Sequence, residues 1–184
     1  VIMYRRKKDG RAAVVLPDGF LFGTDNAKMN IKKKLLKEFN LHTIIRLPGS
    51  VFSPYTSITT NLLFFDNTGP TKETWFYRFD MPEGYKHFSK MKPIKLEHFN
   101  PVVEWWGNRQ ALTVDGFDKA KKFTAQELAE ECGYNFDQCG YPHVEEEILD
   151  PMELIRRYQE ERATLNAEID SVLGEITAKL GGNI

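Results

Sequence analysis

Phe52 and Tyr55 stand three residues apart in a loop, Pro48 to Ser57, that separates two hydrophobic runs. Two flat rings at the end of a buried strand suit stacking on a flat aromatic substrate. They suit equally a packing role, plugging the top of a core, and the residues alone leave both readings open. A second loop, beginning Pro17-Asp18-Gly19-Phe20, closes an earlier hydrophobic run and is expected at the same edge. In open α/β sheets, binding sites form outside the carboxyl ends of the strands. Other chemical signals are thin. No G-x-G-x-x-G or Walker-type phosphate loop is present. No carboxylate pair stands out and no His/Cys/Asp set has nucleophile spacing, so no catalytic residue is assigned. His42, His87, His98 and His143 are scattered and read as surface or hydrogen-bonded histidines. Cys132 and Cys139, spaced C-x6-C with His143 nearby, do not match a zinc ribbon or finger, and no metal is expected.

The elements that must position the two loops follow from the apolar pattern. Residues 11–16 (RAAVVL) form a short continuous apolar run closed by Pro17-Asp18-Gly19, which predicts a strand covered on both faces. Residues 28–39 predict a helix with Ile31, Leu35 and Phe39 on one face, Leu36 beside them and lysines over the rest. Asn26 or Asn30 would cap it. Residues 41–47 (LHTIIRL) predict a second buried strand, so that strand, helix and strand make a parallel crossover unit. The loop after it is too short for another crossover, and residues 58–66 are expected to return antiparallel.

Residues 67–70 read as a turn, 74–79 (TWFYRF) as a further strand at the sheet edge, and the Pro-, Gly- and Lys-rich residues 80–95 as loop. A short helix is expected within 96–110, capped by Asn100 with Pro101 at its first position; Trp105 and Trp106 read as core or interface anchors. Thr124 and Glu127 form the capping box of another short helix. Asp150, Pro151 and Glu153 open a long helix that runs to about Leu180. On it, Ile155, Tyr158, Arg162, Leu165, Ile169, Val172 and Ile176 recur at alternating spacings of three and four, a narrow heptad seam interrupted by one charge. The seam suits docking on a partner's helix; a hairpin closing on its own domain is the other reading.

The net charge of −1 gives no overall sign of nucleic-acid affinity. Its distribution is uneven: residues 1–40 hold ten Lys or Arg against four acids, and residues 141–184 hold four against ten. Solvated helix faces and a phosphate-binding patch both fit the basic end. Two cysteines make no disulfide scaffold, and with no apolar run of ~18 residues the expected setting is the cytoplasm. The chain begins at Val1, and its first nine residues read as the last basic turn of a helix stopped at Gly10, as in a piece of a longer protein.

The order GRAAVVLPDG (10–19), helix, IIRLP (44–48), Val51-Phe52 and TTNLLFF (59–65) resembles the second half of the methyltransferase domain of type I restriction-modification M subunits. WFYRF (75–79), Glu97-His98-Phe99 and GYNFD (133–137) fall in the order expected after that domain. The resemblance implies an α/β fold: the C-terminal half of a Rossmann-like methyltransferase sheet, parallel strands plus an antiparallel one, followed by a helical tail with a long C-terminal helix. Residues 1–80 would belong to the catalytic domain, 81–149 to a connecting region and 150–180 to an assembly helix. Such enzymes move a methyl group from S-adenosylmethionine to the N6 amine of a DNA adenine, taken out of the stack. Phe52 matches the aromatic that packs on the extruded base; Pro17, Asp18 and Tyr55 would line the pocket rim, and Lys32, Lys33 and Lys34 would face the DNA backbone.

The resemblance also implies a specificity subunit as partner of the seam Ile155, Tyr158, Leu165, Ile169, Val172 and Ile176, and through it the other subunits and DNA. Two family features are missing: the Asn-Pro-Pro-Phe/Tyr motif and the Gly-rich cofactor motif. S-adenosylmethionine is therefore expected in the full-length subunit and not in these 184 residues, which are expected to be inactive alone. A non-enzymatic α/β adaptor that recruits a partner through its coiled-coil helix is the alternative.

Overall fold

The computed structural model describes residues 2–3, 10–141 and 150–181. The predicted helix end at residues 1–9 and the turn-region His143 lie outside the described residues, save Ile2 and Met3. Two units separate, Val1–His143 and Val144–Ile184.

The first unit is built on a six-stranded mixed sheet: β1 (Arg11–Pro17), β2 (Asn40–Arg46), β3 (Thr60–Asp66), β4 (Glu73–Arg78), β5 (Leu112–Val114) and β6 (Phe117–Thr124). Their spatial order is β1-β3-β2-β4-β6-β5. β3 pairs antiparallel with both β1 and β2, as its short loop requires. β1 and β2 therefore run the same way with β3 between them, so the crossover unit spans one intervening strand. β4 lies parallel to β2 and antiparallel to β6. It is an inner strand, which corrects its assignment to the edge. The cause is the β5–β6 hairpin, closed by Asp115 and Gly116, both at positive φ, which covers β4's far side.

Helices α1 (Asp18–Leu21), α2 (Asn26–Glu38) and α4 (Ala125–Glu130) and the segment 132–139 contribute to one core, where Leu35, Leu36, Leu41, Ile44, Leu63, Phe76, Leu128 and Phe136 meet. Helix α3 (Asn100–Gly107) contributes to the second, with Ile45, Leu47, Tyr77, Phe79, Val102 and Trp105. β2 and β4 feed both cores, which is why their sequences read as continuous apolar runs. β1 does not. Its burial alternates, with Ala12, Val14 and Leu16 packed on the first core and Val15 49% exposed. The expectation that β1 is covered on both faces is corrected: nothing among the described residues covers its second face.

Capping explains several helix starts. Asp25, not Asn26 or Asn30, caps α2 by accepting from the Lys28 amide at 3.0 Å. Thr124 and Glu127 make the capping box of α4 as the sequence predicts. A 3-10 turn, Leu96–Phe99, precedes α3, so Asn100 is its first residue and Phe99 its cap.

The second unit is one helix, α5 (Pro151–Gly181), about 46 Å long at ~1.5 Å per residue. Asp150 accepts from the Met152 amide at its start. Ile155, Tyr158, Leu165, Ile169, Val172 and Ile176 are each about half exposed. Its ion pairs, Arg156 with Glu153 and Glu160, are solvent-facing and contribute little.

Candidate functional site

β1, β2 and β4 all end at one edge of the sheet, where β3 begins. The loop carrying Phe52 and Tyr55 leaves β2 there and returns into β3. It is held by a run of turns: the Ser53 amide donates to Ser50 O, and the Tyr55 and Thr56 amides donate to Phe52 O. Val51 tucks against the second core, which turns its neighbour Phe52 outward, 40% exposed. Tyr55 is 93% exposed. Neither ring plugs the core, so the packing role that the sequence left open falls away for both.

Pro17 pairs with Thr60 at the loop's return, and the Asp18 amide donates to Thr59 O at 3.2 Å. The edge thus gathers Pro17, Asp18 and the Phe52 loop, as the sequence expects.

The most closely knit chemistry at this edge centres on Arg46, which no sequence motif singles out. Its side chain is 2% exposed at the end of β2. Nη2 pairs with Asp18 Oδ1 at 3.2 Å and with Asp137 Oδ1, Nη1 donates to Gly140 O at 2.9 Å, and Nε donates to Asn61 Oδ1 at 3.3 Å. The Tyr141 ring stacks on the guanidinium at 4.5 Å. Burial opposes the charge, but Asp137 and Asp18 outweigh it and hold the guanidinium above its ordinary pKa. Asn61 Nδ2 donates to Asp18 as well.

Arg78, one strand over, donates to Asp80 at 2.6 Å, to Asp118 O and to Tyr141 O. Phe136 is fully buried and its amide donates to Leu21 O. The Cys139 thiol reaches Ile44 O, and burial pushes its pKa up to about 12, so it is an inert packing group. Residues 136–141 are therefore a strap pinned across the strand ends by two arginines. Asp18's carboxylate is committed to this strap rather than free at a rim. A charged residue closing an otherwise apolar strand, with acids in two distant loops, is the signal that would have flagged Arg46.

Lys32 corrects another expectation. It is fully buried, and Nζ donates to Leu21 O at 2.5 Å and to Gly23 O at 2.9 Å, closing the end of α1. Burial, helped by the Lys28 charge, lowers its pKa to about 8. It has no reach to a phosphate. Lys33 lies over the Tyr134 ring at 5.3 Å and Lys34 pairs with Glu38 at 3.5 Å, so both have local partners. Among the described residues no group of His, Cys, Asp and Glu is placed to hold a metal ion, and no helix is long and apolar enough to cross a membrane.

Residues 1–148 match the family model described as N-6 DNA Methylase. The chain is 44% identical over 177 residues to the type I restriction enzyme EcoEI methylase subunit of Escherichia coli, covering 95% of this chain and 36% of that protein. The crystal structure of a modification subunit of a putative type I restriction enzyme from Vibrio vulnificus YJ016 aligns with a TM-score of 0.58 at 46% identity, over 68% of this chain and 25% of that one. A chain from a structure of the type I R-M system, solved for its complex assembly and conformational transition, aligns with a TM-score of 0.63 at 32% identity, over 97% of this chain and 37% of that one. The chain thus spans about a third of the length of that methylase relative, and on the extent of these matches it belongs to the N-6 DNA methylase family.

Proposed function

We propose that these residues are the C-terminal part of a DNA adenine-N6 methyltransferase subunit of a type I restriction-modification complex, holding the base-side edge of the catalytic sheet and an assembly helix. In that reading Phe52 packs on the extruded adenine, with Pro17, Asp18 and Tyr55 along the rim. Asp18 acts there through its backbone and position, because its carboxylate is engaged by Arg46 and Asn61.

The observation that carries this reading over a self-contained adaptor is the open side of β1. Its ladder groups on that side pair with nothing among the described residues. Beside it lies an apolar hollow of about 620 Å³, whose walls include Val14, Leu16, Phe20, Ile31, Leu63 and Phe65. An edge strand of this kind next to bare core surface is a liability that soluble modules normally cover. The rest of a Rossmann-like sheet, supplying the next strand and its helix, would cover both. The seam of α5 would take helices of the specificity subunit.

The described residues do not fit S-adenosylmethionine. The acid at the end of β1, Asp18, is already spent on Arg46 and Asn61, and no Gly-rich turn approaches the strand ends. No step is assigned to the cofactor on these residues. Calorimetric titration of S-adenosylmethionine tests this division. The complete subunit with its specificity subunit is expected to bind the cofactor and to label adenine N6, while these 184 residues alone bind none up to ~0.1 mM, a site weaker than about −5.5 kcal/mol. Micromolar binding to the chain alone would overturn the division.

A further inference from the structure

We infer that the loop Gly84–Lys92 is a basic prong that grips the phosphates of duplex DNA beside the extruded base, through Lys86, Lys90 and Lys92. The inference rests on the methyltransferase reading and adds to it a DNA-contacting element that neither the resemblance nor the comparisons assign.

Three observations carry it. The first is position. The loop follows β4 off the same edge of the sheet, and the Phe88 amide donates to Ser50 Oγ at 2.8 Å, two residues before Phe52. The prong and the aromatic loop are thereby directly joined.

The second is preorganisation. Phe88 is 1% exposed and packs with Tyr85 and His98, at centroid distances of 5.5 and 5.9 Å. Ser89 and Lys92 exchange both backbone hydrogen bonds at 3.1 Å, closing a tight turn with Lys90 and Met91 at its tip. The Lys92 amide also lies 3.2 Å from Ser89 Oγ.

The third is unspent charge. Residues 81–95 carry four lysines and a single acid, Glu83. Lys86, Lys90 and Lys92 are exposed, and among the described residues none of them is paired with a carboxylate. Lys28, Lys32, Lys33 and Lys34 of α2 contrast with them, being paired locally, buried or stacked, and only Lys37 of that helix is exposed in the same way. Lys86 and Lys92 flank a hollow of about 470 Å³ together with His87.

Extruding a base requires the flanking backbone to be held, and lysines on a rigid turn supply sequence-independent phosphate contacts. Each such contact adds about 0.9 to the slope of log K against log salt on duplex DNA.

The test uses the complete subunit assembled with its specificity subunit. Affinity for a cognate duplex is measured across salt concentrations for wild type, for K86Q/K90Q/K92Q, and for K86R/K90R/K92R as the variant that keeps the charge. The glutamine triple is expected to weaken binding at least ten-fold near 0.1 M salt and to flatten the salt slope by about 2 to 3. Its methylation rate at saturating DNA stays within two-fold of wild type, and the arginine triple keeps the wild-type slope. An unchanged slope in the glutamine triple, or loss of assembly with the specificity subunit instead of loss of DNA affinity, overturns the inference while leaving the methyltransferase reading intact. A wild-type complex that neither binds the duplex nor methylates adenine overturns that reading itself.

Discussion

Replacing Arg46 by alanine destabilises the sheet unit by about 3 kcal/mol or more, within the 3–5 kcal/mol range typical of breaking a buried charge pair. The intact cluster need not be worth that much, because desolvating three charges offsets most of their attraction. Removing the cation alone is different. It leaves the Asp18 and Asp137 carboxylates facing each other's side of a vacated space, at 15% and 18% exposure, and leaves Gly140 O and Asn61 without their donor. It also frees residues 136–141 from the end of β2, so the Phe136 and Cys139 side chains lose their clamp over the first core. Domains of this size have about 5–15 kcal/mol in hand, so the loss is a large fraction of the whole. Arg46→Lys retains the charge but not the fork and should fall between the two. Urea unfolding followed by tryptophan fluorescence measures the effect. A change below about 1 kcal/mol for Arg46→Ala would mean that the strap holds without its arginine.

The second large effect is on assembly. Leu165→Asp combined with Ile169→Asp is expected to weaken association with the specificity subunit by at least a hundred-fold. Each residue is about half exposed on α5, at 52% and 55%. Burying a leucine or isoleucine against a partner helix contributes about 1.5–3 kcal/mol, and a carboxylate in the same seam adds a desolvation penalty. Ala163→Asp with Ala167→Asp, on the opposite side of the helix, carries the same added charge and should leave association within a few-fold. Size-exclusion chromatography of the co-expressed subunits separates the outcomes. Assembly that survives the seam substitutions would move the interface elsewhere.

The capping box at Thr124, the antiparallel return of β3 and the place of the Phe52 loop at the strand ends are legible because each rests on local chemistry or on a short connection; the outward turn of the Phe52 ring is not, because it depends on which neighbour fills the second core. RAAVVL reads as continuously apolar, whereas the burial of β1 alternates and its second face is bare among the described residues, because apolar composition alone does not say which face finds a neighbour. The β5–β6 hairpin went unread since FDKAKKFT alternates lysines with only a few apolar groups; the Asp115-Gly116 turn was its one clear mark. Lys32 reads as one of the surface lysines of an amphipathic helix, although a long side chain can reach buried carbonyls, and its ammonium lies over the rings of Phe20 and Phe136. Arg46 escaped because its partners, Asp18 and Asp137, come from the two ends of the unit. Pairings of that range are set by tertiary structure and leave only a lone charge in an apolar strand to be noticed.

In the proposed reading the ring of Phe52 serves an extruded adenine. Single-turnover methyl transfer by the complete subunit with its specificity subunit, at saturating duplex and cofactor, tests it most directly. Phe52→Ala is expected to slow the step at least ten-fold, about 1.4 kcal/mol of lost stacking, while Phe52→Tyr and Phe52→Trp retain most of the rate. An alanine variant that transfers the methyl group as fast as wild type would mean that the Phe52 ring has no part in holding the base.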